Sequence, residues 1–71
     1  MRLEQLQYVL VIDQYRSLSQ AAKALYINQS ALSRTLASLE EELRVQLFIR
    51  THQGMIPTAV GQMLMPHFQQ I

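Results

Sequence analysis

Hydrophobic positions recur at helical spacing through three successive stretches of the chain. Leu3, Leu6, Val9 and Leu10 form one such series, with Val11 and Ile12 widening the apolar stripe, and predict a helix over residues 3 to 15. Ser17 then offers its hydroxyl as a cap, and Gln20 three positions on completes a capping-box pattern, so a short helix should run from about Leu18 to Leu25. Within it Ala21 and Ala22 are small enough to let a neighbouring helix come close, as a tight helix-turn-helix corner requires. Tyr26-Ile27-Asn28 reads as the turn, and Asn28 as the N-cap of a third helix from Gln29 to about Leu43. Leu32, Leu36, Leu39 and Leu43 fall within roughly 40° of one another on that helix, while Ser30, Arg34, Ala37 and Glu41 take the opposite stripe.

The period changes after residue 43. Val45 to Ile49 is a short β-branched and aromatic run, Thr51-His52-Gln53-Gly54 is a turn signal, and Met55-Ile56 follows, together predicting a two-stranded hairpin. Pro57-Thr58 marks the next boundary, with Thr58 capping a helix from about Ala59 onward. Val60, Leu64, Phe68 and Ile71 share a face of it and are the expected dimer contacts. Pro66 inside the pattern removes one backbone donor and should kink the helix. The fold class is therefore mainly α: a winged helix-turn-helix with a three-helix core, a two-stranded wing and a C-terminal linker helix. Residues 1–57 form the domain, with the helix-turn-helix at 18–37, and residues 58–71 begin the linker or dimerisation helix. On this reading, removing residues 62–71 should leave a folded monomer.

Composition narrows the function. The 71 residues suffice for one domain, which buries only about 60% of its unfolded surface and has little stability to spare. Apolar residues make up 49% and charged ones 15%, which favours a folded chain over disorder. With no cysteine, neither a disulfide nor a thiolate zinc site is available. No apolar run reaches the roughly 18 to 20 residues of a membrane span, and Met1-Arg2-Leu3-Glu4-Gln5 lacks a secretory apolar stretch, so a cytoplasmic protein without membrane contact is expected. His52 and His67 stand alone, and no nucleophile-base-acid set, phosphate-cradling glycine loop or carboxylate pair can be assembled. The expectation is no enzyme, no metal and no cofactor.

The net charge of +1 says little about partners until it is mapped along the chain. Glu40, Glu41 and Glu42 hold three of the five acids; without them six basic residues face two acids, an excess of 6 − 2 = +4. An α-helix fits the DNA major groove, and its base-reading side chains must lie on the exposed stripe near the entering end. There the third helix carries Gln29, Ser30, Ser33 and Arg34, all able to bond base edges or phosphates, together with the positive pole of its own N-terminus. The acids follow about 16 Å further along.

Three segments carry a family resemblance: Ser17-Leu18-Ser19-Gln20-Ala21-Ala22, Asn28-Gln29-Ser30-Ala31-Leu32-Ser33-Arg34 and Leu39-Glu40-Glu41-Glu42-Leu43. With Leu47-Phe48-Ile49-Arg50-Thr51, Gly54 and Pro57-Thr58-Ala59-Val60-Gly61, the chain resembles the N-terminal domain of LysR-type transcriptional regulators over essentially its whole length. The resemblance implies sequence-specific binding of double-stranded DNA by a bacterial regulator, with helix 29–43 in the major groove and Gln29, Ser30, Ser33 and Arg34 in contact with DNA. It also implies a wing along the minor groove, with Arg50, His52 and Gln53 near phosphates or the groove edge. The final helix would pair with a second subunit, giving a homodimer, or a tetramer in a full-length protein, and would lead to a small-molecule effector domain that this chain does not contain. Arg16 and Arg44 stand where the family often has glycine, so either a left-handed residue closes each helix at a cost of about 1 kcal/mol or the helices end differently. Gln53 replaces a common wing arginine.

Each residue also has a plainer reading. Arg34 could be a solvated arginine or pair with Ser38 or Glu41, and Ser30 and Ser33 could face water or bond the preceding turn. Arg50 could reach a phosphate or bridge back to the body. The leucine series is core rather than a zipper. The alternative for the whole chain is a winged-helix protein-protein interaction module without DNA binding, which should show apolar side chains on the exposed stripe.

Overall fold

The computed structural model describes residues 1–71 as four helices and one hairpin: α1 (Leu3–Tyr15), α2 (Leu18–Leu25), α3 (Gln29–Leu43), β1 (Phe48–Thr51), β2 (Gly54–Pro57) and α4 (Ala59–Gln69). The helices start where capping chemistry dictates. The Gln5 side chain accepts from the Arg2 amide, Ser17 Oγ accepts from the Gln20 amide, Asn28 Oδ1 from the Ala31 amide and Thr58 Oγ1 from the Gly61 amide. Each bond satisfies an amide that the first turn leaves without an intrahelical partner. Of the box expected at Ser17 and Gln20, the hydroxyl half forms.

Three helices end on left-handed residues that are not glycine: Arg16 (φ 54°), Tyr26 (φ 59°) and Arg44 (φ 59°). Their amides donate back to the last turn, Arg16 to the Ile12 carbonyl at 2.7 Å and Arg44 to the Glu41 carbonyl at 3.2 Å. The helices thus stop as if glycine were present, and each stop carries the cost of a Cβ in that region. Arg16 recovers part of it, because its Nε donates to the carbonyl and carboxylate of Asp13 at 2.8 and 3.1 Å.

The core is a continuous cluster. Leu6, Val9 and Ile12 of α1 meet Leu18, Ala21 and Ala22 of α2 and Leu32, Leu36 and Leu39 of α3. Leu47, Phe48 and Met55 close it from the hairpin, and Met65 and Phe68 from α4. Leu43 packs at its edge, half-buried, so the leucine series of α3 is core. No buried side-chain polar atom lacks a partner.

The hairpin starts later than the apolar run predicts. Val45 and Gln46 are a connection, and pairing runs Phe48 to Pro57, Ile49 to Ile56, Arg50 to Met55 and Thr51 to Gly54. The reason lies in α3: the Glu40 carboxylate accepts from the amides of Leu47 at 2.6 Å and Phe48 at 3.2 Å. The Leu47 amide is therefore not free to extend the ladder back beyond Phe48. On the other side of the same segment the Leu47 carbonyl accepts from the Thr58 amide at 3.0 Å, and the Gln46 carbonyl from the Thr58 hydroxyl at 2.6 Å. Gly54, at φ 116°, sits so close to the body that a Cβ there would lie 2.2 Å from the Arg16 carbonyl oxygen.

The C-terminal helix divides its apolar residues differently from the sequence pattern. Gly61, Met65 and Phe68 face the core, whereas Val60 and Leu64 are half-buried and Ile71 is 71% exposed. Phe68, expected at a dimer contact, is only 6% exposed and belongs to the core. Met65 and Phe68 help to close that core, so a chain lacking residues 62–71, expected to stay folded, would give up these two core contacts. The helix passes through Pro66 without interruption; Pro66 is exposed, where the carbonyl left without a donor can meet water.

Candidate nucleic-acid interface

The turn between α2 and α3 decides which side chains α3 presents. Ala21 and Ala22 are buried to the Cβ and let α3 cross close by, while Leu32, Leu36 and Leu39 anchor its inner stripe. Geometry then leaves Gln29, Ser30 and Arg34 exposed at the N-terminal half, with Ser33 half-buried beside them. Neither α2 nor α3 carries an acid in its first turn, so the partial positive charge of each N-terminus stands uncancelled.

The wing brings Arg50 to this group. Its Nη2 donates to Ser33 Oγ at 3.3 Å, a link across 17 residues of sequence. Gln29, Ser30, Ser33, Arg34 and Arg50 together line an open depression with no apolar residue in its wall. Arg50 thus bonds back to the body through a serine rather than a carboxylate, keeping its positive charge uncompensated. Arg34 makes no bond to Ser38 or Glu41, and its guanidinium is exposed and unpaired.

His52 and Gln53 are placed apart from that depression. They are the two residues between the paired Thr51 and Gly54, exposed at the wing tip. Thr51 Oγ1 donates to the Gly54 carbonyl at 2.9 Å and accepts from the Gln53 amide at 3.1 Å, so the tip is internally braced.

Two residues that the sequence did not mark as part of the binding surface join it. Ser17 and Ser19, at the N-terminus of α2, line an adjoining depression with Gln29, Arg50, Gly54 and Met55. Their Oγ atoms lie 3.2 Å apart. The capping pattern at Ser17 was legible, but its position beside Gln29 depends on how α2 packs.

The acidic block is less free than its charge suggests. Glu40 is engaged with two amides, and Glu42 pairs with the Met1 ammonium. Only Glu41 is a solvated carboxylate without a partner, on the far side of the depression from the helix start.

A helix presented over a tight corner, with a hairpin beside it and a cationic polar surface between them, defines the winged helix-turn-helix class. Comparison with known proteins identifies the branch. Residues 3–62 match the model of the bacterial regulatory helix-turn-helix proteins of the lysR family. The chain belongs to that family.

Among curated relatives it is 45% identical over its full length to the nitrogen assimilation regulatory protein nac of Klebsiella aerogenes and of Escherichia coli K12. It is 43% identical to a probable nitrogen assimilation transcriptional activator of Synechococcus elongatus. The chain spans 23% of the length of each of these relatives. Among solved structures it superimposes on the CbnR DNA-binding domain in complex with DNA with a TM-score of 0.94, at 30% identity, covering 99% of this chain and 80% of that one. The BenM DNA-binding domain on catB site 1 DNA gives 0.94 at 33% identity, covering 99% and 79%.

Proposed function

We propose that this chain is the DNA-binding domain of a LysR-type transcriptional regulator and binds specific duplex DNA with α3 in the major groove. The carrying observation is the polar depression of Gln29, Ser30, Ser33, Arg34 and Arg50 at the entering end of α3. Those side chains are the donors that read guanine and adenine edges or hold phosphates. The likeness to CbnR and BenM domains solved on DNA supports the same docking. His52 and Gln53, at the wing tip, take the flanking groove edge. The protein-interaction reading loses ground because the exposed stripe of α3 offers Ser30, Arg34 and Ala37 rather than large apolar groups.

A second copy of the chain joins through α4. Val60, Leu64 and Ile71, joined by Met63 at 62% exposure, recur at helical spacing beside the buried face. Phe68 has no part in this contact. Pairing places two α3 helices on two half-sites, which offsets the modest charge of one domain by effective concentration. In a protein as long as the curated relatives, the remaining length would carry an effector domain and could assemble tetramers in the cytoplasm. The domain acts by binding, not by catalysis.

The test is salt-dependent binding to the DNA upstream of the chain's own gene, compared with a random duplex. A specific preference that survives rising salt supports the reading. Equal affinity for both duplexes at every salt concentration overturns it.

A further inference from the structure

The geometry points to Glu40 as a positioning residue for DNA binding: an acid that strengthens the interaction by holding the wing against the recognition helix. Ser33 and Glu40 are seven residues apart on α3 and so share a face, and both line the groove between α3 and the hairpin. Each reaches the wing. Ser33 accepts from Arg50 at 3.3 Å, and Glu40 accepts from the amides of Leu47 at 2.6 Å and Phe48 at 3.2 Å, where β1 begins.

Phe48 and Arg50 are two residues apart on one strand, so the position of the strand root sets where the Arg50 guanidinium stands. Thr58 and α4 hold the carbonyl side of that root, at Gln46 and Leu47, and Glu40 alone supplies acceptors for its amide side. A carboxylate suits this because one oxygen serves both amides, and a charged acceptor bonds them more strongly than a neutral one. Glu41 and Glu42 make no hydrogen bond to the hairpin, so the three adjacent acids have different roles.

This inference rests on Arg50 touching DNA, as proposed above, and the experiment separates the two. Binding to the operator is measured for Glu40→Asp, Glu40→Gln, Glu41→Asp and Arg50→Ala, and for Glu40→Asp combined with Arg50→Ala. Aspartate keeps the charge but is one methylene too short to reach both amides. Glu40→Asp should bind about fivefold more weakly and lose about 0.9 from the logarithmic salt slope, as one phosphate contact is misplaced. Glu40→Gln, which keeps the reach, should stay within about twofold of the parent. Glu41→Asp should match the parent, and Glu40→Asp should add nothing once Arg50 is alanine. Amide resonances of Leu47 and Phe48 should move in Glu40→Asp with the rest of the fold unchanged.

Glu40→Asp binding like Glu41→Asp while Arg50→Ala weakens binding overturns this inference alone. Equal losses with and without Arg50 do the same, since the effect would not pass through the wing. Unchanged affinity in Arg50→Ala removes the wing contact itself and this inference with it.

Discussion

Gly61→Ala provides a sharp test of how α4 is seated. On an open helix face the change is favourable by about 1 kcal/mol, because alanine has less backbone freedom to lose than glycine. Here the added carbon would lie 2.2 Å from the Leu47 carbonyl oxygen, 3.1 Å from its carbon and 3.3 Å from its Cα. All three are backbone atoms, and that backbone is held at both amide and carbonyl, by Glu40 and by Thr58. Non-bonded heavy atoms settle at roughly 3.5 Å, so α4 must withdraw by about 1 Å, loosening Met65 and Phe68 in the core.

Overpacking of this kind costs about 1 to 3 kcal/mol, at the upper end where nothing flexible can yield, leaving a net loss of about 2 kcal/mol after the helix gain. A domain of this size loses about 4 to 8 °C per kcal/mol, so the melting temperature should fall by about 8 to 16 °C. Far-UV circular dichroism at fixed protein concentration measures it, with Gln62→Ala on the exposed face as the neutral control. A melting temperature at or above that of the parent would refute the seating of Gly61 on Leu47.

Arg44→Gly should raise stability by about 1 kcal/mol, since Arg44 is left-handed and its side chain has no partner; a lower melting temperature would contradict the cap assignment. Arg16→Gly should gain less, because it gives up two bonds to Asp13, and equal gains at both positions would count against those bonds. Arg34→Ala should weaken operator binding by about 1 to 3 kcal/mol, read by mobility shift, and unchanged affinity would take Arg34 out of the interface. Met63→Glu should leave the melting profile of the monomer intact yet shift sedimentation from dimer to monomer, whereas a persisting dimer would place the contact elsewhere.

Local signals were enough for most of the architecture. The bounds of α1, α2 and α3 follow from leucine spacing and from Ser17 and Asn28 as caps, because helix period and capping are short-range effects that need no distant partner. The exposed stripe of α3, with Gln29, Ser30 and Arg34, follows equally from its leucine stripe. The hairpin turn at His52-Gln53 is written in Thr51 and Gly54.

Other features were settled only by residues far apart in sequence. β1 begins at Phe48 rather than Val45 because a carboxylate from α3 claims the Leu47 amide just before it. Four apolar residues on α4 looked alike as a helical face, but packing against Leu47 rotated Gly61, Met65 and Phe68 inward and left Met63 and Ile71 outside. A periodic pattern marks which residues are apolar and cannot tell which part of a broad stripe meets its own core. Arg16 and Arg44 show the same division: their side chains disfavour a left-handed stop, and it persists because the next element must turn back onto the core. The union of Arg50 with Ser33, and of Arg50 with Ser17 and Ser19, likewise exists only once helix corner and wing are packed. Period and capping therefore determine the elements and their polar faces, while the juxtaposition that makes a binding surface is decided by tertiary contacts that no local pattern encodes.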